Sequence, residues 1–381
     1  MRRLIIPIFG IAAFLSLVTN TAALRAATRY SEAASMPGVV VLETESSAGV
    51  SVRMAEELAR ATSDGTKRRL LPVIGVGSLQ NILDFKLLPS LDVAILQTDV
   101  LEHAKYKKLA PGIEAWMTYI SKLSTEEFHL IARAEIKSIS DLANHNVSVD
   151  VDGSGTEITA ARLFELIRIP VHTVNYDPEQ ALEKLRSGEV AAVALVAGKP
   201  APLFCELIGE NGLHFLSIPI EPLVTAGYLP ARLTAADYPG LIPFNQPIDT
   251  VAVGNVLAVN NLQPGSERYR NVTNFVEAFF SGFQSLLQPG HHPKWREVDL
   301  TAEVPGWRRF PPAAQWVQRN ARVAKSPQVE GLKSDFARFL EERQQVSGGP
   351  PLSQKEKDKL FDQFRDWASA RPGLWQRAPT H

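Results

Sequence analysis

The chain has 381 residues, 45% hydrophobic and 21% charged, with a formal net charge of −1. This is ordinary globular composition rather than disorder, and the length favours two domains over one. The near-neutral charge leaves no basic surplus to displace counterions, so no nucleic-acid partner is expected. Runs such as Lys67-Arg68-Arg69 read as solvated surface. The single cysteine, Cys205, excludes an internal disulfide and reads as a buried thiol beside Phe204 and Leu207.

Residues 1–26 begin with Arg2 and Arg3, pass through an apolar run from Leu4 to Val18, step through Thr19-Asn20 and end in small residues. Charged, apolar and small segments in that order are a secretory signal peptide, with cleavage expected after Ala23 or Ala26. The alternative, an uncleaved anchor, falls short of the ~20 apolar residues a spanning helix needs. The mature protein is therefore expected to be exported, periplasmic or otherwise extracytoplasmic.

In chain order, Val39 to Thr44 is a continuous apolar strand that empties into Glu45-Ser46-Ser47-Ala48-Gly49, and Val52 to Ala61 has the helical period. A second strand, Leu70 to Ile74, ends in Gly75-Val76-Gly77-Ser78 and leads into helical Leu79 to Leu87. The third, Val93 to Leu96, ends in Gln97-Thr98-Asp99. Strands apolar along their length and alternating with helices predict a parallel sheet covered on both faces. The pattern restarts after Phe128 to Arg133. Val147 to Val151 leads to Gly153-Ser154-Gly155-Thr156 and a helix with Ala160, Leu163, Phe164 and Ile167 on one stripe. Val171 to Tyr176, helical Pro178 to Ser187 and Val190 to Val196 complete a second α/β set. A β-rich stretch, Thr250 to Asn260, and helical Arg268 to Leu287 follow. Extended links near 120–130 and 215–225 predict two lobes with a cleft between them. Lobe 1 takes residues 37–125 and 220–325, lobe 2 takes 126–219, and 326–381 form a C-terminal linker and an amphipathic helix around Leu360, Phe361, Phe364 and Trp367.

In open α/β sheets, ligands bind beyond the carboxyl ends of strands. Those loops are rich here in small polar residues: Ser46, Ser47, Gly77, Ser78, Gln97, Ser154, Gly155, Thr156 and Gly198. Small residues admit a ligand close to the backbone, and amides at a helix start favour negative charge. The pattern suggests a small anionic ligand. Four other chemistries lack their signals. Gly153-Ser154-Gly155 lacks the G-x-S-x-G spacing of a nucleophile elbow, and no histidine falls in a neighbouring loop. Gly198-Lys199-Pro200 lacks the spacing of a phosphate loop. His291-His292 has no further ligand at metal spacing and reads as a surface loop. The acids Glu43, Glu45, Asp99, Asp150, Asp152 and Glu157 give no pair at glycosidase separation. No metal or cofactor is expected. Ser154 and Thr156 also fit the plain role of helix caps.

The stretches VIGVGSLQN (Val73 to Asn81), DVAILQTDV (Asp92 to Val100), FHLIARAEIKSISDL (Phe128 to Leu142), VSVDVDGSGTEIT (Val147 to Thr159), AVALVAGKPAP (Ala192 to Pro202) and HPKWREV (His292 to Val298) resemble, in that order, the TAXI family of extracytoplasmic substrate-binding proteins that serve TRAP transporters. The resemblance implies a two-lobed α/β fold of the type II periplasmic binding class, each lobe a mostly parallel sheet flanked by helices. It also implies a ligand such as a dicarboxylate or glutamate held in the cleft, delivery to a membrane permease, and no chemistry on the ligand. Carried over by position, the ligand-facing residues are Gly77, Ser78, Gln97, Ser154, Gly155, Thr156, Ala197, Gly198 and Lys199. The chain departs from the family in its first loop, where Ser46-Ser47-Ala48-Gly49 stands in place of a glycine pair, an aromatic and a proline, and at Lys199. That lysine either gives a charge-assisted bond to a carboxylate or points to solvent. An exported hydrolase using Ser154, and a sensory module that has lost transport, are the alternatives.

Overall fold

A computed structural model describes residues 37–45, 50–208 and 210–324. Ser46 and Ser47, the signal segment 1–26, and the linker and amphipathic helix expected over 326–381 lie outside the described residues. The chain divides into two compact units, residues 1–314 and 315–381. Of the second, only the last turns of one helix are described, so the sheet, its cores and the site belong to the first.

The strands are β1 (Val39–Thr44), β2 (Arg69–Ile74), β3 (Val93–Gln97), β4 (Thr118–Arg133), β5 (Asn146–Ser148), β6 (His172–Val174), β7 (Ala192–Ala197), β8 (Leu213–Phe215), β9 (Leu229–Leu233) and β10 (Ile248–Val259). The helices are α1 (Val50–Thr62), α2 (Ser78–Leu87), α3 (Thr98–Tyr106), α4 (Ile113–Trp116), α5 (Gly155–Ile167), α6 (Pro178–Ser187), α7 (Pro202–Cys205), α8 (Glu221–Thr225), α9 (Glu267–Leu286) and α10 (Pro311–Ala324). The sheet runs β2-β1-β3-β10-β4-β7-β5-β6, with β8 on β4 and β9 on β10.

The two expected parallel sets are present. β1 pairs in parallel with β2 and β3, and β5 with β6 and β7. Between them lie β4 and β10, antiparallel to each other and to their outer neighbours. The last residues of β10, Asn255 to Val259, pair with β3, while the last residues of β4, Glu127 to Ala132, pair with β7. The β4–β10 register shifts between Gly254 and Val256, where the two sets meet.

Packing follows the same division. Tyr119, Val256 and Ala258 join Leu96, Val100 and Leu101 in one core. Phe128, Leu130, Val251 and Val253 join Leu163 and Phe164 in another, and Ile131, Leu195, Phe204 and Tyr238 share a third. Leu223, Tyr228, Leu233 and Tyr238 thus pack with the second α/β set, so that set recruits chain beyond the boundary expected at 219.

Local chemistry fixes the helix starts. The Ser154 hydroxyl accepts from the Glu157 amide (3.1 Å) and the Asp177 carboxylate accepts from the Gln180 amide (3.0 Å), each satisfying an otherwise orphaned donor. Two elements differ from expectation. Thr98 begins α3 directly from β3, because Val100, Leu101 and Ala104 bury one helical face. The surface loop expected at His291-His292 is instead an inward turn: His292 is buried and caps the 3-10 turn Pro293–Glu297. Trp295 draws it in, lying edge-on to Phe279 and Phe283 and donating Nε1–H to Glu57 (2.8 Å).

Candidate functional site

Tips of β1, β2, β3 and β7 and the loop after β5 converge on one cavity of ≈ 10 Å³, lined by Glu45, Val76, Gly77, Gln97, Asp150, Ser154, Gly155, Thr156, Leu195 and Val196. That volume is about the room one water occupies. The two α/β sets touch here closely: a Cβ on Gly77 would lie 2.6 Å from the backbone at Ser154 Cα, and one on Gly198 would lie 2.9 Å from the Val50 side chain at Cγ2. Loops flanking the cavity, at Leu79, Thr98 and Gly153, also border an open groove of ≈ 1670 Å³ that reaches Lys122, Tyr228 and Trp307.

The polar floor is an acid pair. Glu45, at the tip of β1, accepts from the Ser78 hydroxyl, and that Ser78 oxygen accepts the Gln97 amide (2.9 Å). Gln97 Nε2 lies between Glu45 Oε2 (3.5 Å) and Glu126 Oε2 (3.3 Å). Asn255, opposite Gln97 in the β3–β10 register, also hydrogen-bonds Glu126, and the two carboxyl groups hydrogen-bond each other. Burial first, then the Glu126 charge, holds Glu45 well above the usual carboxylate range. Burial raises Glu126 as well, against hydrogen bonds from Asn255 and Gln97. The pair therefore holds a proton that two carboxylates in water would have released.

Asp150 faces the same cavity from the other set. Burial pushes it up to about 6, opposed by the Val151 amide and the Thr156 and Ser154 hydroxyls. Asp99, also raised to about 6 by burial, accepts the Thr159 hydroxyl (2.7 Å) and so ties α3 to α5. Among the described lining residues there is no lysine, arginine or histidine.

Of the residues expected to face ligand, Gly77, Gln97, Ser154, Gly155 and Thr156 line the cavity, and Ser78 stands directly behind it. Ala197, Gly198 and Lys199 do not line it; their predecessors Leu195 and Val196 do. The two roles weighed for Lys199 are both corrected. Its ammonium pairs with the Asp237 carboxylate (3.2 Å), just beyond strand β9, and donates to the Arg232 carbonyl within it. Ser154 is spent on its helix and on Asp150, with no histidine among its contacts. His129 sits apart, its Nδ1–H donated to the Glu127 carbonyl (2.8 Å) and its Nε2 accepting from the Tyr238 hydroxyl (2.6 Å). Glu126 and Asn255 were not expected, and Glu126 gives Glu45 a carboxyl partner from outside the acids considered in the sequence. Asn255 had a signal, an amide residue inside the apolar run VAVGNVLAV of β10; Glu126, in the mixed sequence of β4, had none. Among the described residues, no group of three or more His, Cys, Asp or Glu is placed to hold a metal ion, and no helix is long and apolar enough to cross a membrane.

Two α/β sets joined through long central strands, with a polar cavity at their facing tips, define an α/β protein built on one mixed sheet. The chain belongs to the NMT1-like family, whose sequence model matches residues 50–301. Among solved structures it is similar to the periplasmic aliphatic sulphonate binding protein of Escherichia coli (15% identity, 90% of this chain and 96% of that one, TM-score 0.37). It is also similar to a TctC solute binding protein from Polaromonas (16%, 65% and 88%, 0.37), and to a mutant of the ArgBP protein from T. maritima (13%, 68% and 92%, 0.40).

Proposed function

We propose that the protein is an extracytoplasmic solute-binding protein that encloses a small organic solute between two lobes and hands it to a TRAP-type membrane permease, as the TAXI resemblance implies. The observation that carries this reading is the convergence of strand tips from both sets on one polar cavity, with backbone meeting backbone at Gly77 and Ser154. A solute enters only if those tips part, and contacts to both sets then favour reclosure around it, which is hinge closure driven by differential binding. The crossing of β4 and β10, with its shifted register, is the proposed hinge. Export rests on the signal segment 1–26. An organic anion would use the first amides of α5, which have no intrahelical acceptor. It would also need Glu45 and Asp150 protonated, because their charged forms would repel it.

Small-angle scattering with a panel of small organic solutes tests closure. A ligand that binds with a smaller radius of gyration supports the reading, and saturable binding with no change in shape argues against it. Co-purification with a membrane permease separates transport from sensing, since a sensory module would bind solute and bring down no permease.

A further inference from the structure

The donors in the floor of the cavity are used up and the acceptors are not. Gln97 Nε2 serves Glu45 and Glu126, which fixes the amide so that its Oε1 points the other way. That oxygen has no partner although Gln97 is 1% exposed, and it lies against Gly155, where an added Cβ would stand 2.1 Å from it. Asn255 repeats the arrangement: its amide serves Glu126 and its Oδ1 is unpartnered and buried. Two carboxyl groups and two amide oxygens therefore share few hydrogens. Buried acceptors left unmade are costly, and the group that satisfies several at once is one that only donates. Protonated amines and guanidinium groups have that property; carboxylates do not.

We propose that Glu45, Glu126 and the Gln97 Oε1 form the receptor for a positively charged donor group, an ammonium or guanidinium, on the captured solute. This assignment rests on the solute-binding reading above and names the chemistry that selects the ligand. The cation enters between the tips of β1 and β3 toward the middle of β4, takes the place of the proton the acid pair holds, and donates a hydrogen bond to Gln97 Oε1. The charged groups facing the pair are Asp99, whose negative charge acts on Glu45, and Lys294, whose positive charge acts on Glu126. Asp150 lines the same cavity. Lys294 is already engaged by Glu127 (2.7 Å), so negative charge dominates.

The test is calorimetric titration of the full mature chain with putrescine, arginine and lysine as cation-bearing probes and with succinate and 2-oxoglutarate as dianions. At least one cation-bearing probe is expected to bind while the dianions do not, with affinity falling as pH drops from 8 to 5, because protons compete for the acid pair. Glu45→Gln and Gln97→Leu should each weaken that probe at least tenfold. Gln97→Leu keeps both carboxyl groups, so it reports on the acceptor even if the acid variant folds poorly. Binding of succinate or 2-oxoglutarate alone, strengthening as pH falls, overturns the cation receptor and leaves the solute-binding function standing. Affinity of an amine probe unchanged in both variants also overturns it. Heat from no probe of either charge counts against the solute-binding function itself.

Discussion

Replacing Gly77 by alanine tests whether the contact between the two α/β sets is the closing contact. Gly77 has φ 161° and ψ 172°, extended backbone that any residue adopts, so alanine adds no local strain. What it adds is a methyl group 2.6 Å from Ser154 Cα, 3.2 Å from the Gly155 amide nitrogen and 3.3 Å from the Gly153 carbonyl. All three are backbone atoms that cannot swing aside, and carbon atoms rest at about 3.5–4.0 Å. The loops must separate by about 1 Å, an overpacking cost of about 1–3 kcal/mol. Opening the cleft removes the clash entirely, so the cost falls on the closed form. It should shift the closed-to-open ratio by about 5- to 150-fold. Electron-electron distance measurement reads this directly. With Cys205→Ser as background, nitroxides at the exposed positions Lys86 and Glu183 report the separation of the sets. The Gly77→Ala protein should populate a longer distance than its parent. Gly282→Ala in α9, where nothing lies within 4 Å of the added Cβ, should leave that distance alone and stabilise the fold by about 0.5–1 kcal/mol. Superimposable distributions for Gly77→Ala and its parent would refute the argument that Gly77 and Ser154 gate the cavity.

The remaining expectations concern the buried polar groups. Lys294→Met strands Glu127, whose side chain is 5% exposed, and should cost about 3–5 kcal/mol in urea unfolding. Lys294→Met with Glu127→Gln should recover much of that loss, and equal destabilisation of the single and double variants would contradict the pairing. Tyr238→Phe removes the donor to His129 Nε2 (2.6 Å) and the acceptor of the Ala201 amide (2.7 Å), both buried, for a loss of about 1–3 kcal/mol; an unchanged midpoint would count against that network. Burial, with the Asp84 charge next, raises Glu43 from 4.5 to about 7, and burial raises Asp99 and Asp150 from 3.8 to about 6. The folded state thus holds protons that the unfolded chain releases. Their stabilisation is complete below the ordinary carboxylate values and is lost as pH rises through 6 to 7. The melting temperature should therefore fall between pH 5 and pH 8, and a rise across that interval would reverse the assigned signs.

The sheet was legible because its signals are local. VVVLET, RLLPVI and VAILQ are apolar runs closed by polar loops, and the stripe of Ala160, Leu163 and Phe164 starts where Ser154 can cap it. Gly77, Gln97 and Ser154 to Thr156 could be placed together because strand tips on one side of a sheet are neighbours by topology. Lys199 could not be placed: its direction is set by Asp237 and by a β9 carbonyl, more than thirty residues away. Helix α3 was hidden because its apolar residues Val100, Leu101 and Ala104 adjoin a lysine-rich turn. Glu126 and Asn255 were missed for a different reason. They lie in the middle of β4 and β10, where the reading for ligands looked only at loops.

Glu126 and Glu127 carry the strongest contrast in the molecule. They are consecutive in β4, so their side chains leave opposite faces of the strand. Glu127 has an ion-pair partner: Lys294 Nζ at 2.7 Å and the Lys199 amide at 3.0 Å both donate to it. Glu126, equally buried, receives only neutral amides and the carboxyl of Glu45. The fold thus seats a cation directly against Glu127, whereas Glu126, behind the cavity-lining Glu45 and Gln97, has no direct ion pair among the described residues and feels Lys294 only at a distance. A purely structural Glu126 would be better replaced by glutamine, which keeps the amide bonds and removes the repulsion with Glu45. Keeping two acids there costs stability, and that cost is offset only when a positively charged guest occupies the tips.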